Sequence, residues 1–262
     1  MTGSVSGSYW KQVLADDMAV PTDRPLGDLT AELTRMLGDP DPVLRDGTAF
    51  PTLATWVSRG VYDDLLGGLG DGMAAGLSTG LGETDDDSVF RRSFSALVLG
   101  ACIARDNQRP LVPGGKILEW GDRLATWLLR EEDLRGFVPG KGWAHAVAHG
   151  ADALGTLACS PHLHTPELTV LLDVVAELLE QRRGAPGGRH RVGVGAAPGS
   201  PGVHGHAEPL LARPGDVADR RQLQGPVDLL RLAEQRRGVA HKRLVVTAHR
   251  LPFANVSLSL CL

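Results

Sequence analysis

Every tryptophan and tyrosine of this chain lies before Gln181, and of five phenylalanines only Phe253 comes later. That break constrains the fold more than any other feature, because aromatic side chains supply much of what a core can bury. Charge breaks at the same place. Residues 1–182 carry 15 Lys+Arg against 26 Asp+Glu, and residues 183–262 carry 12 against 5. The formal net charge of −4 therefore averages an acidic segment of −11 with a basic one of +7. The chain divides into an N-terminal segment (1–25), a helical-hairpin domain (26–182) and a Gly/Arg/Pro/Ala-rich tail (183–262).

Several classes are excluded by what is missing. Met1 to Trp10 has no basic region followed by an apolar one, so no signal peptide is read there. The apolar stretch Phe94 to Ala104 is about half a membrane span. Cys102, Cys159 and Cys261 are too few and too scattered for a disulfide framework or a cysteine-based zinc site. A cytoplasmic protein without membrane contact is expected. The acidic balance of residues 1–182, without basic patches and interleaved aromatics, argues against nucleic acid there.

Ala and Leu dominate from Tyr9 to Arg183, and apolar positions recur at helical spacing. Expected helices run over about 26–37, 42–59, 62–81, 88–105, 116–131, 143–159 and 165–181. Their ends are marked by Asp39-Pro40-Asp41-Pro42, by the acids Asp85–Asp87 and by Thr165-Pro166-Glu167. Asp41-Pro42-Val43-Leu44-Arg45 is echoed 46 residues on by Asp87-Ser88-Val89-Phe90-Arg91. A period of this size with two helices per unit is that of HEAT-like solenoids, in which such acids and arginines bridge consecutive units. The expected fold is all-α: a HEAT-like α-solenoid or an irregular array of helical hairpins, with a disordered C-terminal tail. Gly68, Gly72, Gly76 and Gly80 form a stripe expected to let helices approach closely; no strand or phosphate-loop pattern accompanies them.

One helix carries a polar constellation. On a wheel of 100° per residue, His145, His149, Asp152 and Thr156 share a stripe, with Lys141 near its entry and Trp143 one turn before, placed to line a pocket. The remaining positions are almost all apolar, so the stripe must face a groove or be satisfied internally. The satisfied arrangement has His149 bonding Asp152 and His145 bonding a neighbouring helix or water. Histidines at i and i+4 can also share a divalent metal, with Asp152 as third ligand and Glu119 or Asp122 completing the set. No glutamate follows His145, so zinc-protease chemistry is not supported. Arg91-Arg92 is expected to pair with Asp85–Asp87, and Glu119, Asp122, Arg123 and Arg130–Asp133 to form a solvated, salt-bridged face. Trp10, Trp56, Trp120 and Trp127 are expected anchors of the core or groove.

These residues carry a resemblance. Trp10-Lys11, Ala15-Asp16-Asp17, Pro21–Leu26, Arg59–Asp64, Arg91–Leu97, Gly142-Trp143-Ala144-His145 and Ala148–Asp152 resemble a bacterial family catalogued as domain of unknown function 2785, from about Trp10 to Leu179. The resemblance implies an all-helical cytoplasmic protein and carries over no functional residues.

Residues 183–262 hold 11 Gly, 11 Arg, 10 Ala and 7 Pro, with one Lys and no Ile, Met, Trp or Tyr. One reading is a disordered basic tail that meets an anionic partner. A reading frame lost near Arg182–Gly184 fits better, since GC-rich DNA out of frame encodes these residues; the 165–181 helix would then expose an apolar face. His190, His204, His206, His241 and His249 show no metal-ligand spacing. The function expected is an interaction module binding a protein or small ligand in the groove beside His145, His149 and Asp152, and not an enzyme. The alternative is a hydrolase-like metal enzyme using those three residues.

Overall fold

The computed structural model describes residues 3–183, 245–247 and 259–261. It is mostly helical: α1 (Gly3–Ala15), α2 (Leu26–Met36), α3 (Pro42–Leu44), α4 (Phe50–Ser58), α5 (Leu66–Gly76), α6 (Ser88–Gln108), α7 (Gly114–Arg130), α8 (Ala146–Ala158) and α9 (Thr165–Arg183). Between α7 and α8 lies a hairpin of β1 (Phe137–Val138) and β2 (Gly142–Trp143). The chain forms two compact units, 1–174 with 242–262, and 175–241; of the second, only the end of α9 is described. In the tail, β3 (Val245–Thr247) pairs antiparallel with β4 (Ser259–Cys261). The remaining expectations for the tail (disorder, a lost reading frame, the five histidines) fall outside the described residues. Among the described residues no helix is long and apolar enough to cross a membrane.

α6 is the centre of the first unit, packing on α4, α5 and α8. It is buried nearly all round, as a core helix must be. α7 shows the one-sided pattern instead: Ile117, Trp120, Leu124, Trp127 and Leu128 are buried, while Glu119, Asp122 and Arg123 face outward. α3 runs into α4 through a π-helical turn at Arg45–Ala49. Pro51 has no N–H for the Gly47 carbonyl, and the wider turn keeps the helix continuous past that missing bond. α1, which the periodicity did not indicate, buries Trp10 and Val13, and the Trp10 ring sits 6.4 Å from that of Trp56.

Arginines make the longer-range ties. Arg59 donates to the Asp17 carbonyl at 2.7 Å and its carboxylate at 2.8 Å, and Arg105 grips the Asp63 carboxylate at 2.8 and 2.7 Å. Asp17 to Asp63 and Arg59 to Arg105 are the same 46-residue step as the echo in the sequence. The arginines of the echo itself grip backbone: Arg45 reaches the carbonyls of Asp39 and Lys141, and Arg91 that of Thr34.

Three packing expectations are corrected. Cβ atoms at Gly68 and Gly72 would meet nothing, whereas one at Gly70 would lie 2.1 Å from the Trp120 ring. Close approach thus uses Gly70 and Gly76, where Ser95 is the neighbour, and not a four-residue stripe. Arg92 leaves Asp85–Asp87 to other cations and turns inward onto Glu131 at 2.6 Å, both side chains being 0% exposed. Glu131 and Asp133 are consequently buried and form no solvated face.

This pairing predicts a contrast. Glu131→Ala strands a buried guanidinium and should cost about 3–5 kcal/mol. Arg59→Ala removes a largely exposed pair and should cost less than about 1 kcal/mol. Urea midpoints of the two variants check the difference.

Candidate functional site

The site begins where α7 ends. Glu131 accepts from Arg92 (2.6 and 2.8 Å), the Trp127 indole (2.8 Å) and the Asp133 amide (3.0 Å), so the chain leaving the helix is held inside the protein. Asp133 in turn holds the Arg135 guanidinium at 2.6 Å. The hairpin follows, with Phe137 opposite Trp143 and Val138 opposite Gly142. Its turn needs glycine at two places. Gly140 and Gly142 have φ of +75° and +81°, and a Cβ at Gly142 would press on Pro42 (3.1 Å) and on Arg45 (3.2 Å). Arg45, itself fully buried, stacks over the Phe90 ring at 4.0 Å and donates to the Lys141 carbonyl at 2.6 Å. The Lys141 ammonium points the other way and pairs with Asp87 at 2.7 Å.

The pairing keeps the chain extended through Trp143, so α8 starts only at Ala146 and His145 is its left-handed N-cap (φ 51°, ψ 31°). His145 therefore does not lie on the helix as the wheel assumed. Its amide donates to the Arg135 carbonyl, its carbonyl accepts the His149 amide at 3.0 Å, and its ring packs edgewise on Trp143 at 4.3 Å. Left-handed backbone at a non-glycine residue costs roughly 1–2 kcal/mol, which these contacts offset.

α8 is clamped by its neighbours: a Cβ at Gly150 would meet Leu128 at 2.6 Å, and one at Gly100 would touch Ala153 at 3.4 Å. Gly150 and Ala153, with Gly100 of α6, are thus what lets the helix sit between α6 and α7. His149 lies on this clamped face. Its Nδ1 is 2.6 Å from the Ser93 hydroxyl, which donates to the Ala144 carbonyl. A hydroxyl has one proton, so His149 Nδ1–H is the donor to Ser93 and Nε2 keeps a lone pair. Burial, reinforced by the nearby His145 and Arg45, pushes the His149 pKa down to about 3. Burial also lowers His145 and raises Asp152. Burial thus opposes the charged form of all three groups.

The expected His149–Asp152 bond is replaced by His149–Ser93. The Asp152 carboxylate makes no hydrogen bond or ion pair among the described residues, and Thr156 turns back to the Asp152 carbonyl. The imidazole centroids of His145 and His149 are 5.9 Å apart. Among the described residues no three His, Cys, Asp or Glu side chains converge as a metal site needs, and Glu119 is taken up by Lys116 and Arg123. A cleft of about 330 Å³ lies at Tyr9–Asp23 and shares no residue with the stripe.

Sequence reasoning missed Ser93, Arg45 and Phe137. Ser93 sits inside the Arg91–Leu97 motif and Arg45 inside the echo, so both lay in segments already singled out. Phe137 had no such signal. With Trp143 it forms an exposed aromatic pair, 58% and 38% accessible, ring centroids 5.0 Å apart.

Fold and site together define a mostly helical protein with a half-buried polar stripe, the first histidine of which packs against an aromatic hairpin. Residues 77–185 match the family model described as "Protein of unknown function (DUF2785)", the family that the Gly142–Asp152 motif resembles. The match spans α6 to α9 and includes the hairpin and every stripe residue; residues 10–76, where the resemblance was also read, lie outside it. No curated protein and no solved structure matches the chain.

The depressed His149 pKa has a thermodynamic sign. The unfolded chain takes up this proton near pH 6.5 and the folded one only near pH 3. Stability from this group is therefore complete above pH 6.5 and lost as pH falls from 6.5 to 3, by an amount on the order of a few kcal/mol. Asp152, with its raised pKa, acts in the opposite direction. Unfolding midpoints against pH should be flatter across this window in His149→Phe than in the parent protein.

Proposed function

We propose that the chain is a cytoplasmic, HEAT-like helical-repeat interaction module that binds a protein partner at the β1–β2 hairpin, next to the His145/His149/Asp152 stripe. The observation that carries this reading is the exposed aromatic pair on a rigid mount. Phe137 and Trp143 leave much of their surface in water, and Leu134 beside them is 55% exposed. Large exposed aromatics held in place by their backbone bind at low entropic cost, and such residues dominate the energetics of interfaces. The mount is built from carbonyls at 135, 136, 141 and 144, each fixed by a hydrogen bond. The recurrence of the Asp17–Arg59 pair as Asp63–Arg105 supports the repeat architecture.

The binding surface is thus the hairpin above the stripe, with the imidazoles below it as support. No observation favours the runner-up, metal-dependent hydrolysis through His145, His149 and Asp152.

Affinity capture with the full chain tests the proposal. Phe137→Ala/Trp143→Ala should weaken a specific partner by about tenfold or more, as loss of aromatic hot spots does, with the helical fold retained and only a small drop in thermal midpoint. A double variant that retains every partner of the parent protein overturns it.

A further inference from the structure

The electrostatic surroundings of the hairpin narrow the chemistry of its occupant. Asp85 lies 3.7 Å from the Arg135 guanidinium, the Asp86 carbonyl accepts a bond from Arg135 at 2.7 Å, and Asp87 holds Lys141 at 2.7 Å. Arg135 is also committed to Asp133 at 2.6 Å. Three carboxylates, those of Asp85, Asp87 and Asp133, therefore meet two cations, which leaves the cluster one negative charge in excess; the Asp86 carboxylate turns instead to the Ser88 amide. The Asp85 side chain remains 86% exposed.

Against this negative field stand two aromatic faces. The Phe137 and Trp143 rings meet at 72° with centroids 5.0 Å apart, and the His145 ring also packs on the indole, at 4.3 Å. Ring faces carry negative electrostatic potential and attract a cation placed over them. A neutral apolar side chain would gain burial here but leave the excess negative charge uncompensated, and an anion would be repelled.

We propose that the Phe137–Trp143 corner receives a cationic side chain, guanidinium or ammonium, from a basic segment of the partner protein. This rests on the docking reading above and adds the charge of the occupant to it. Guanidinium suits the corner best, because its plane stacks on a ring while its N–H groups reach carboxylates.

The test uses the full chain and two probes, argininamide and its neutral isostere citrullinamide. Binding is followed by the Trp143 indole N–H resonance, assigned by its loss in Trp143→Phe. Argininamide should give a saturable shift that weakens with salt, at an affinity about two- to fivefold above that of citrullinamide. Asp85→Asn, which tolerates the left-handed backbone at this position (φ 57°), should bring the two probes together. Equal affinity of the two probes for the parent protein, or a preference untouched by Asp85→Asn, overturns the inference. Those results concern charge alone. Failure of the docking reading is seen separately, in partners that survive the Phe137→Ala/Trp143→Ala change.

Discussion

The structure depends on one buried ion pair. Arg92 and Glu131 meet with neither side chain exposed, and every strong hydrogen-bonding position of the carboxylate is used by the guanidinium, an indole and a backbone amide. Desolvating two charges is repaid only when their remaining bonds are made. Here they are, since Arg92 also donates to the carbonyls of Thr79 and Gly80 and to Ser88. One pair thus ties the turn after α5, the first turn of α6 and the end of α7. The loop that becomes the hairpin leaves from that knot, so its starting direction is set by the core and not by its own residues.

From there the site is a sequence of rings. Phe137, Trp143, His145, His149, Phe94 and Phe50 touch in series, running from an exposed residue past the buried Phe94 to the half-buried Phe50. The two imidazoles occupy the middle, where a phenyl ring in place of His149 would leave the Ser93 hydroxyl with one partner fewer. Both histidines pack as rings, and His149 also offers a hydrogen bond to Ser93. This accounts for a polar stripe within an otherwise apolar helix without assigning it any chemistry.

Helices were legible because their residues repeat with the helical period and their ends carry proline, acids or glycine; α6 and α7 start and stop within a few residues of expectation. The start of α8 was not. No Ser, Thr, Asp or Asn precedes it, and the two-residue strand that holds Trp143 extended depends on pairing with Phe137, a tertiary event. Three residues of error moved His145 off the helix and with it the convergence a metal would need. Ser93 and Glu131 were misjudged for a related reason. A serine in an apolar helix and an acid in a charge run look alike whether solvated or buried, and their partners lie 56 and 39 residues away in the chain. The stretch that matches the family model includes these residues, but a match does not state which atom meets which.

The ties around the hairpin share one property. Arg45, Ser93 and Arg135 each hold a backbone carbonyl of another segment, at Lys141, Ala144 and Asp86. A carbonyl is supplied by any amino acid, so these anchors do not care which side chain stands above them. The loop can therefore drift in sequence at its outward positions while its path stays the same. A lineage could exchange the aromatic corner for other outward side chains and keep the scaffold intact, provided that these ties and the glycines at 140 and 142 remain.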